Sequence, residues 1–398
     1  MFSSLKIKNF RLYWLGMFIS LIGTWIQSVA QSWLVFQLTD SAFLLGLVGF
    51  LGSIPVFMLS LFGGVVADRL NKKTILLVTQ HAFMVLAFFL AVLTQLKVIT
   101  PAQIMCIAVL NGTVMAFDAP CRQSVVVELV GKERLMNAIA LNSAAFNSAR
   151  IIGPAIAGIL ISAIGMSGCF YINGISFLAV IVALWVIRVN SASRNGSRTM
   201  FLQDLVEGLR FIKRNRTVLV LISMVGITSL FGIPYVILMP LFAQHILGVG
   251  VKGLGVLMSA AGVGALCAAL LLAKLGDLKR KGRFLMFAAG VFSVALVFFA
   301  LSKTYVLSLL ALVCVGWASV TAISLINTLL QSLSPDEFRG RLMSAFMFTF
   351  AGIMPFGNLL AGSLSHVLGV SLTVAGGGCV CGAFFVFVNI LYPDIRRI

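Results

Sequence analysis

The chain has 398 residues, of which 60% are hydrophobic and 10% charged, and its net charge is +18. With a mean hydropathy of +1.09, it exceeds what a soluble core absorbs, which excludes a soluble enzyme or a soluble nucleic-acid-binding module. Apolar runs of about twenty residues recur along the whole length, each enough to cross ~30 Å of hydrocarbon at ~1.5 Å per residue.

The opening MFSSLKIKNFR carries Lys6, Lys8 and Arg11 ahead of the first apolar run, with no small-residue cleavage site after a short apolar core. It reads as a retained first helix and not as a removable signal. Twelve spans follow, at roughly 11–37, 43–66, 74–96, 102–120, 136–163, 168–188, 217–245, 253–275, 284–302, 305–330, 342–367 and 371–392. The ninth and tenth are separated only by Ser302–Tyr305.

Between the second and third spans lies Gly63–Lys73, reading GGVVADRLNKK. A charged connector between two membrane-length runs belongs at a membrane face, because Asp and Arg cost several kcal/mol in hydrocarbon.

The placement of positive charge orients the chain. Lys6, Lys8, Arg11, Arg69, Lys72, Lys73, Arg122, Lys132 and Arg134 fall on one side of this topology. So do the basic residues of 188–216, 274–283, 339–341 and 396–397, whereas Lys97, Lys252 and Lys303 fall on the other. The positive-inside rule therefore puts both termini and the central connection in the cytoplasm. Contact with anionic lipid accounts for the excess charge, and no nucleic-acid partner is expected. The seven cysteines (Cys106, Cys121, Cys169, Cys267, Cys314, Cys379 and Cys381) have no metal-ligand spacing. They read as small apolar residues. His81, His245 and His366 are far apart, so no metal site is expected.

An internal repeat divides the chain. Arg134-Leu135-Met136-Asn137-Ala138 recurs 207 positions later as Arg341-Leu342-Met343-Ser344-Ala345. Gln123-Ser124 returns as Gln331-Ser332, and Gly158 and Gly165 have counterparts in Gly362 and Gly369. The charged connector has a weaker echo at Gly276–Lys281. The fold class expected is an all-α integral membrane protein, with twelve transmembrane helices in two pseudo-symmetric six-helix bundles. The bundles are 1–188 and 217–398, joined by a cytoplasmic linker, 189–216. Within that linker Phe201, Leu202, Leu205, Val206, Leu209 and Ile212 recur at helical spacing, which predicts an amphipathic helix on the membrane surface.

Several motifs together resemble the major facilitator superfamily, in the branch of the enterobactin exporter and related multidrug exporters. They are Leu38-Thr39-Asp40-Ser41-Ala42 with Gly46, Pro55, the Gly63–Lys73 connector, Asp118-Ala119-Pro120-Cys121-Arg122-Gln123, Asn137-Ala138, and Ala149-Arg150-Ile151-Ile152-Gly153-Pro154. Asn71 departs from the pattern, since the family usually has Gly there; the resemblance thus implies a left-handed backbone at this position, which Asn tolerates next best after Gly. The resemblance implies a transporter working by alternating access, with Gly64, Asp68, Arg69, Lys72 and Lys73 in a cytoplasmic gate. It places Asp68 opposite the start of the eleventh span, near Arg341. It sets the neighbouring basic residues against an acid on the fourth span, here Asp118 beside Arg122.

In the fifth span the resemblance implies export. The small-residue signature there is Ala140, Ala149, Gly153, Pro154, Ala157 and Gly158, with Ala at three positions where exporters have Gly. Gly153, Pro154 and Gly158 let helices approach closely and let this one bend. Ordinary tight packing explains the same residues.

Arg150 lies roughly 20 Å into the fifth span and must face a cavity or a partner. It serves either an anionic substrate or the carbonyls around Gly153-Pro154. Gln27 and Gln31, Asn147, Asn327 and Asn358 are further cavity candidates, each equally able to bond neighbouring helices. No phosphate-binding GxxxxGK[ST] loop is present, so no nucleotide cofactor is expected. Proton coupling is implied by the resemblance alone.

The reading is therefore a monomeric bacterial inner-membrane transporter, not an enzyme, that exports a small amphipathic molecule. The alternatives are a lysolipid flippase or a nutrient importer of the same fold. A membrane-embedded enzyme would need a cluster of acids, His or Ser near one face, which the sequence lacks. A receptor would be expected to carry a further domain.

Overall fold

The computed structural model describes residues 3–187, 210, 212–213, 215–276, 278 and 280–397, without the side chains of Leu61, Asp68, Lys132, Asp336, Glu337, Arg339 and Arg397. Most of the expected linker helix, and Asp277 and Lys279 of the second charged connector, lie outside the described residues.

The described chain is helical almost throughout. Its helices are α1 (Lys8–Thr39), α2 (Ala42–Arg69) and α3 (Lys72–Gln95), then one continuous run, Pro101–Val186. After the linker come α7 (Arg216–Ile246), α8 (Gly250–Leu275), α9 (Lys281–Leu301), α10 (Tyr305–Leu333), α11 (Asp336–Leu368) and α12 (Val370–Leu391).

The run Pro101–Val186 is three helices in one. Its helical angles break at Gly131 (φ 69°, ψ 174°) and at Gly165 (φ 74°, ψ 177°), conformations that glycine adopts without a Cβ clash. The breaks give α4 (Pro101–Gly131), α5 (132–164) and α6 (166–186). The expected membrane helices are thus present, but α4 continues about ten residues beyond its predicted end at 120, and α5 begins earlier than 136. Likewise α11 starts at Asp336 and not beside Arg341, which sits in its second turn over the Phe338 ring, 5.4 Å from the centroid.

Local chemistry sets the helix starts. Thr100 and Gln103 form a reciprocal capping box ahead of Pro101. Asn71 is extended (φ −65°, ψ 111°), and its side-chain oxygen accepts from the amides of Lys73 and Thr74. It is an N-cap and not the left-handed residue expected, because capping α3 satisfies two otherwise orphaned donors. In α7, Pro234 and Pro240 cannot donate to the ladder, and π and 3-10 turns replace regular helix over 228–238.

The chain forms two compact units. The first comprises Met1–Asp40, Leu51–Ser197 and Gly250–Ser259; the second comprises Ser41–Phe50, Arg198–Val249 and Ala260–Ile398. Each unit therefore includes the opening turns of one helix, α8 in the first and α2 in the second, whose remainder belongs to the other.

Candidate functional site

In the first unit, Asp118 is fully buried on α4. It accepts from Thr79 Oγ1 and Gln80 Nε2 of α3, both at 2.7 Å, and pairs with Arg122 one turn along its own helix. Arg122 also reaches Met17 Sδ on α1 at 3.2 Å. The carboxylate thus ties α3 to α4, with its charge matched locally by Arg122, as burial of an ion demands.

Asp118 is not the acid that meets the basic connector. Lys72 pairs with Glu128, further along α4, and the two side chains are 17% and 18% exposed. Lys73 donates to the carbonyl oxygens of Ile187 at 2.8 Å and Trp185 at 3.4 Å. A cation there satisfies acceptors left open at the end of α6. Sequence reasoning missed Glu128, although it is the only other acid on α4. Arg69 is exposed at the end of α2, Gly64 is clear of neighbours, and the Asp68 side chain lies outside the described residues.

The cavity candidates separate. Gln27 is buried, and its Oε1 accepts from Asn173 Nδ2 of α6 at 2.7 Å, so it joins α1 to α6. Asn173 was not foreseen. Gln31 is half-buried on α1. Asn327 accepts from Gln331 Nε2 on its own helix at 2.5 Å. Asn358 is buried in the second unit, close to Gly49 and Ile237. The opening of α2 lies tight on α11 there: a Cβ on Gly46 would meet the Asn358 carbonyl oxygen at 2.6 Å and Gly362 Cα at 2.8 Å.

α5 carries the most informative face. Its angles stay helical through Gly153-Pro154, and both residues lie close to neighbouring helices. A Cβ on Gly153 would run into Trp25 of α1, and a Cβ on Gly255 of α8 would run into the carbonyl oxygen of Pro154. Gly158 faces Val251 and Lys252, and Ser259 Oγ donates to the Ile151 carbonyl at 2.8 Å. One half of α5 is thereby sealed against the start of α8. Along the other half, Ala140, Ser143 and Ala144 are exposed and Asn147 donates to the Ser143 carbonyl at 2.8 Å.

Arg150 stands where the two halves meet. Ser143, Asn147, Arg150 and Pro154 share a face at spacings of four, three and four. The exposed Ile152, Ile156 and Ile159 form the opposite, lipid-type face. One turn before Arg150 in the sequence, Phe146 makes an edge-on aromatic pair with Trp25, with centroids 5.9 Å apart. Among the described residues Arg150 has no hydrogen bond or ion pair, and it is half-buried. Among the described residues, too, no group of three His, Cys, Asp or Glu side chains could hold a metal ion.

Comparison with known proteins agrees with the resemblance carried by the connector and the α5 motif. A profile of the major facilitator type, described as transmembrane secretion effector, matches residues 1–395. The chain is 26% identical over 380 residues to the staphyloferrin A transporter of Staphylococcus aureus, covering 94% of each. It is 25% identical over 361 residues to the multidrug efflux pump Tap of Mycolicibacterium fortuitum, covering 88% of each. To the enterobactin exporter EntS of Shigella boydii it is 23% identical over 382 residues, covering 96% of this chain and 90% of that one. In fold it is similar to a D-xylose-proton symporter, with a TM-score of 0.77 at 13% identity and 100% of both chains covered.

Proposed function

Because this chain belongs to the transmembrane secretion effector family of the major facilitator superfamily, we propose that it exports a small amphipathic molecule, siderophore-like or drug-like, by alternating access. The observation that carries this reading is α5, sealed by Pro154 and Gly158 against α8 over one half and open along Ser143, Asn147 and Arg150 over the other. A polar face that ends at a closed seam suits a molecule held at the membrane midplane and released when the seam parts. Three relatives named for siderophore or drug transport support export of a compound of that kind.

In this proposal the moving bodies are 1–188 and 217–398, working as a monomer in the inner membrane with both termini cytoplasmic. The cytoplasmic gate is the Gly63–Lys73 connector, with Asp68 facing the first two turns of α11, the second of which carries Arg341. Lys72 and Lys73 hold the connector to α4 and α6 through Glu128 and Ile187. Anionic lipid covers the basic cytoplasmic face. Proton return is the coupling that the resemblance implies; Asp118 is enclosed by Thr79, Gln80 and Arg122.

A deletion strain tested against a compound panel and for siderophore secretion identifies the cargo. Asp68→Asn should then abolish efflux from proteoliposomes while membrane insertion stays intact. Normal efflux by that variant removes the gate, and heightened tolerance of the deletion strain to every compound removes export.

A further inference from the structure

We infer that the groove between α9 and α10 binds one anionic phospholipid, with an acyl chain in the groove and the headgroup on Arg283. This site lies outside the export reading and holds whatever the cargo and its direction.

The groove belongs to the second unit, has a volume of about 600 Å³, and is lined by Phe287, Gly290, Val294, Phe298, Leu310 and Cys314. On α9 the exposed residues Arg283, Phe287, Gly290, Val294 and Phe298 follow at spacings of four, three, four and four, which makes one stripe. From Phe287 to Phe298 that stripe runs about 16 Å, roughly half of the hydrocarbon layer. One leaflet is the reach of a lipid chain, whereas a partner helix would cross both. Gly290 recesses the wall, since nothing lies within 4 Å of where its Cβ would stand.

One end of the groove is cationic. Arg283 heads the stripe one turn before Phe287, Arg280 and Lys281 flank it, and the first turn of α9 holds no acid. The C-terminal turn adds Arg396, held by the Asn389 carbonyl, where Ile395 lies against Gly282 of α9. The positive-inside rule assigns this end to the cytoplasmic leaflet. At the same end Trp317 of α10 meets Phe284 and Phe287 edge-on, with centroids 6.0 and 6.2 Å away. Trp favours the boundary between hydrocarbon and headgroups, so Arg283, one turn beyond Phe287, stands at headgroup level. The other end closes on the α9–α10 turn, whose single cation is Lys303. A guanidinium fork suits phosphate oxygens, and the apolar groove suits a chain. Charge alone would fit a free phosphate and the groove alone any lipid; together they select an anionic phospholipid.

The test is native mass spectrometry of the purified full chain in detergent, titrated with phosphatidylglycerol and with phosphatidylcholine of the same acyl chains. One phosphatidylglycerol should bind about fivefold more tightly than phosphatidylcholine, the effect of one cation beside an anionic headgroup. Arg283→Gln should erase that preference and leave phosphatidylcholine binding as it is. Gly290→Phe, whose ring enters open space, should weaken both lipids at least tenfold. In the parent protein, phosphatidylglycerol with dibrominated chains should quench tryptophan fluorescence more than its phosphatidylcholine counterpart does. Trp317→Phe should remove that excess. Equal binding of the two lipids overturns the inference, as does a preference that survives Arg283→Gln or binding that survives Gly290→Phe. So does glycerol 3-phosphate binding as tightly as the whole lipid, which would mean a headgroup site without the groove. A dimeric mass that Gly290→Phe returns to monomer would put a second copy in the groove and overturn it equally.

Discussion

Asp118 illustrates how much one side chain discloses in sequence and how much it withholds. That an acid in an apolar run must be matched was legible, but the sequence analysis sought its match in the basic connector and not in Arg122, four residues along the same helix. Thr79 and Gln80 were not legible, because nothing in one sequence says which turn of α3 lies opposite. The basic connector was misassigned for the same reason: Glu128, ten residues beyond Asp118, is the acid within reach of Lys72. Since Asp118 is fully buried and Arg122 is about a fifth exposed, Asp118→Asn should destabilise the protein by about 3 kcal/mol, the low end for breaking a buried pair. The check is the thermal midpoint in detergent. Adding Arg122→Gln should recover part of the loss, because the stranded cation is then gone. An unchanged midpoint in the single variant removes the network from the stability of the α3–α4 contact.

Helices were the most readable elements, since length and hydropathy alone give spans that cross hydrocarbon. Their limits were less so. The predicted end of α4 at 120 took a charged, proline-containing segment for a connector, yet Pro120 is accommodated within the helix and the break waits for Gly131. A positive φ is a backbone property that glycine permits but does not announce. Asn71 is the converse case, since Asn serves both left-handed positions and N-caps, and the structure uses it as a cap. This distinction has a measurable consequence. Asn71→Ala should cost about 1 kcal/mol by removing the cap, and Asn71→Gly only a few tenths. Were the backbone left-handed, the glycine variant would instead be the more stable protein. Chemical unfolding of the three proteins side by side separates the two cases.

For the whole molecule, hydropathy and the repeat conveyed architecture, because lipid imposes membrane-length helices without reference to cargo. Which small residues touch was not conveyed, as Gly and Ala recur all along these helices. In lipid no hydrophobic drive pulls helices together, so a seam between them depends on backbone approach and a few hydrogen bonds. The α5–α8 seam has both, through Gly255 on Pro154, Gly158 on Lys252, and Ser259 on Ile151. A side chain at Gly255 would collide with the Pro154 carbonyl, a backbone atom that cannot turn away. Gly255→Leu should therefore hold the seam apart while each helix, already satisfied in its own hydrogen bonds, still inserts. Transport in proteoliposomes should fall at least tenfold with yield from the membrane unchanged. Ser259, only 8% exposed, supplies the second readout: as Ser259→Cys in a background freed of other cysteines, it should resist an impermeant maleimide, and adding Gly255→Leu should make it react. Efflux and labelling that both stay at the parent level would mean that the cycle proceeds without closing this seam.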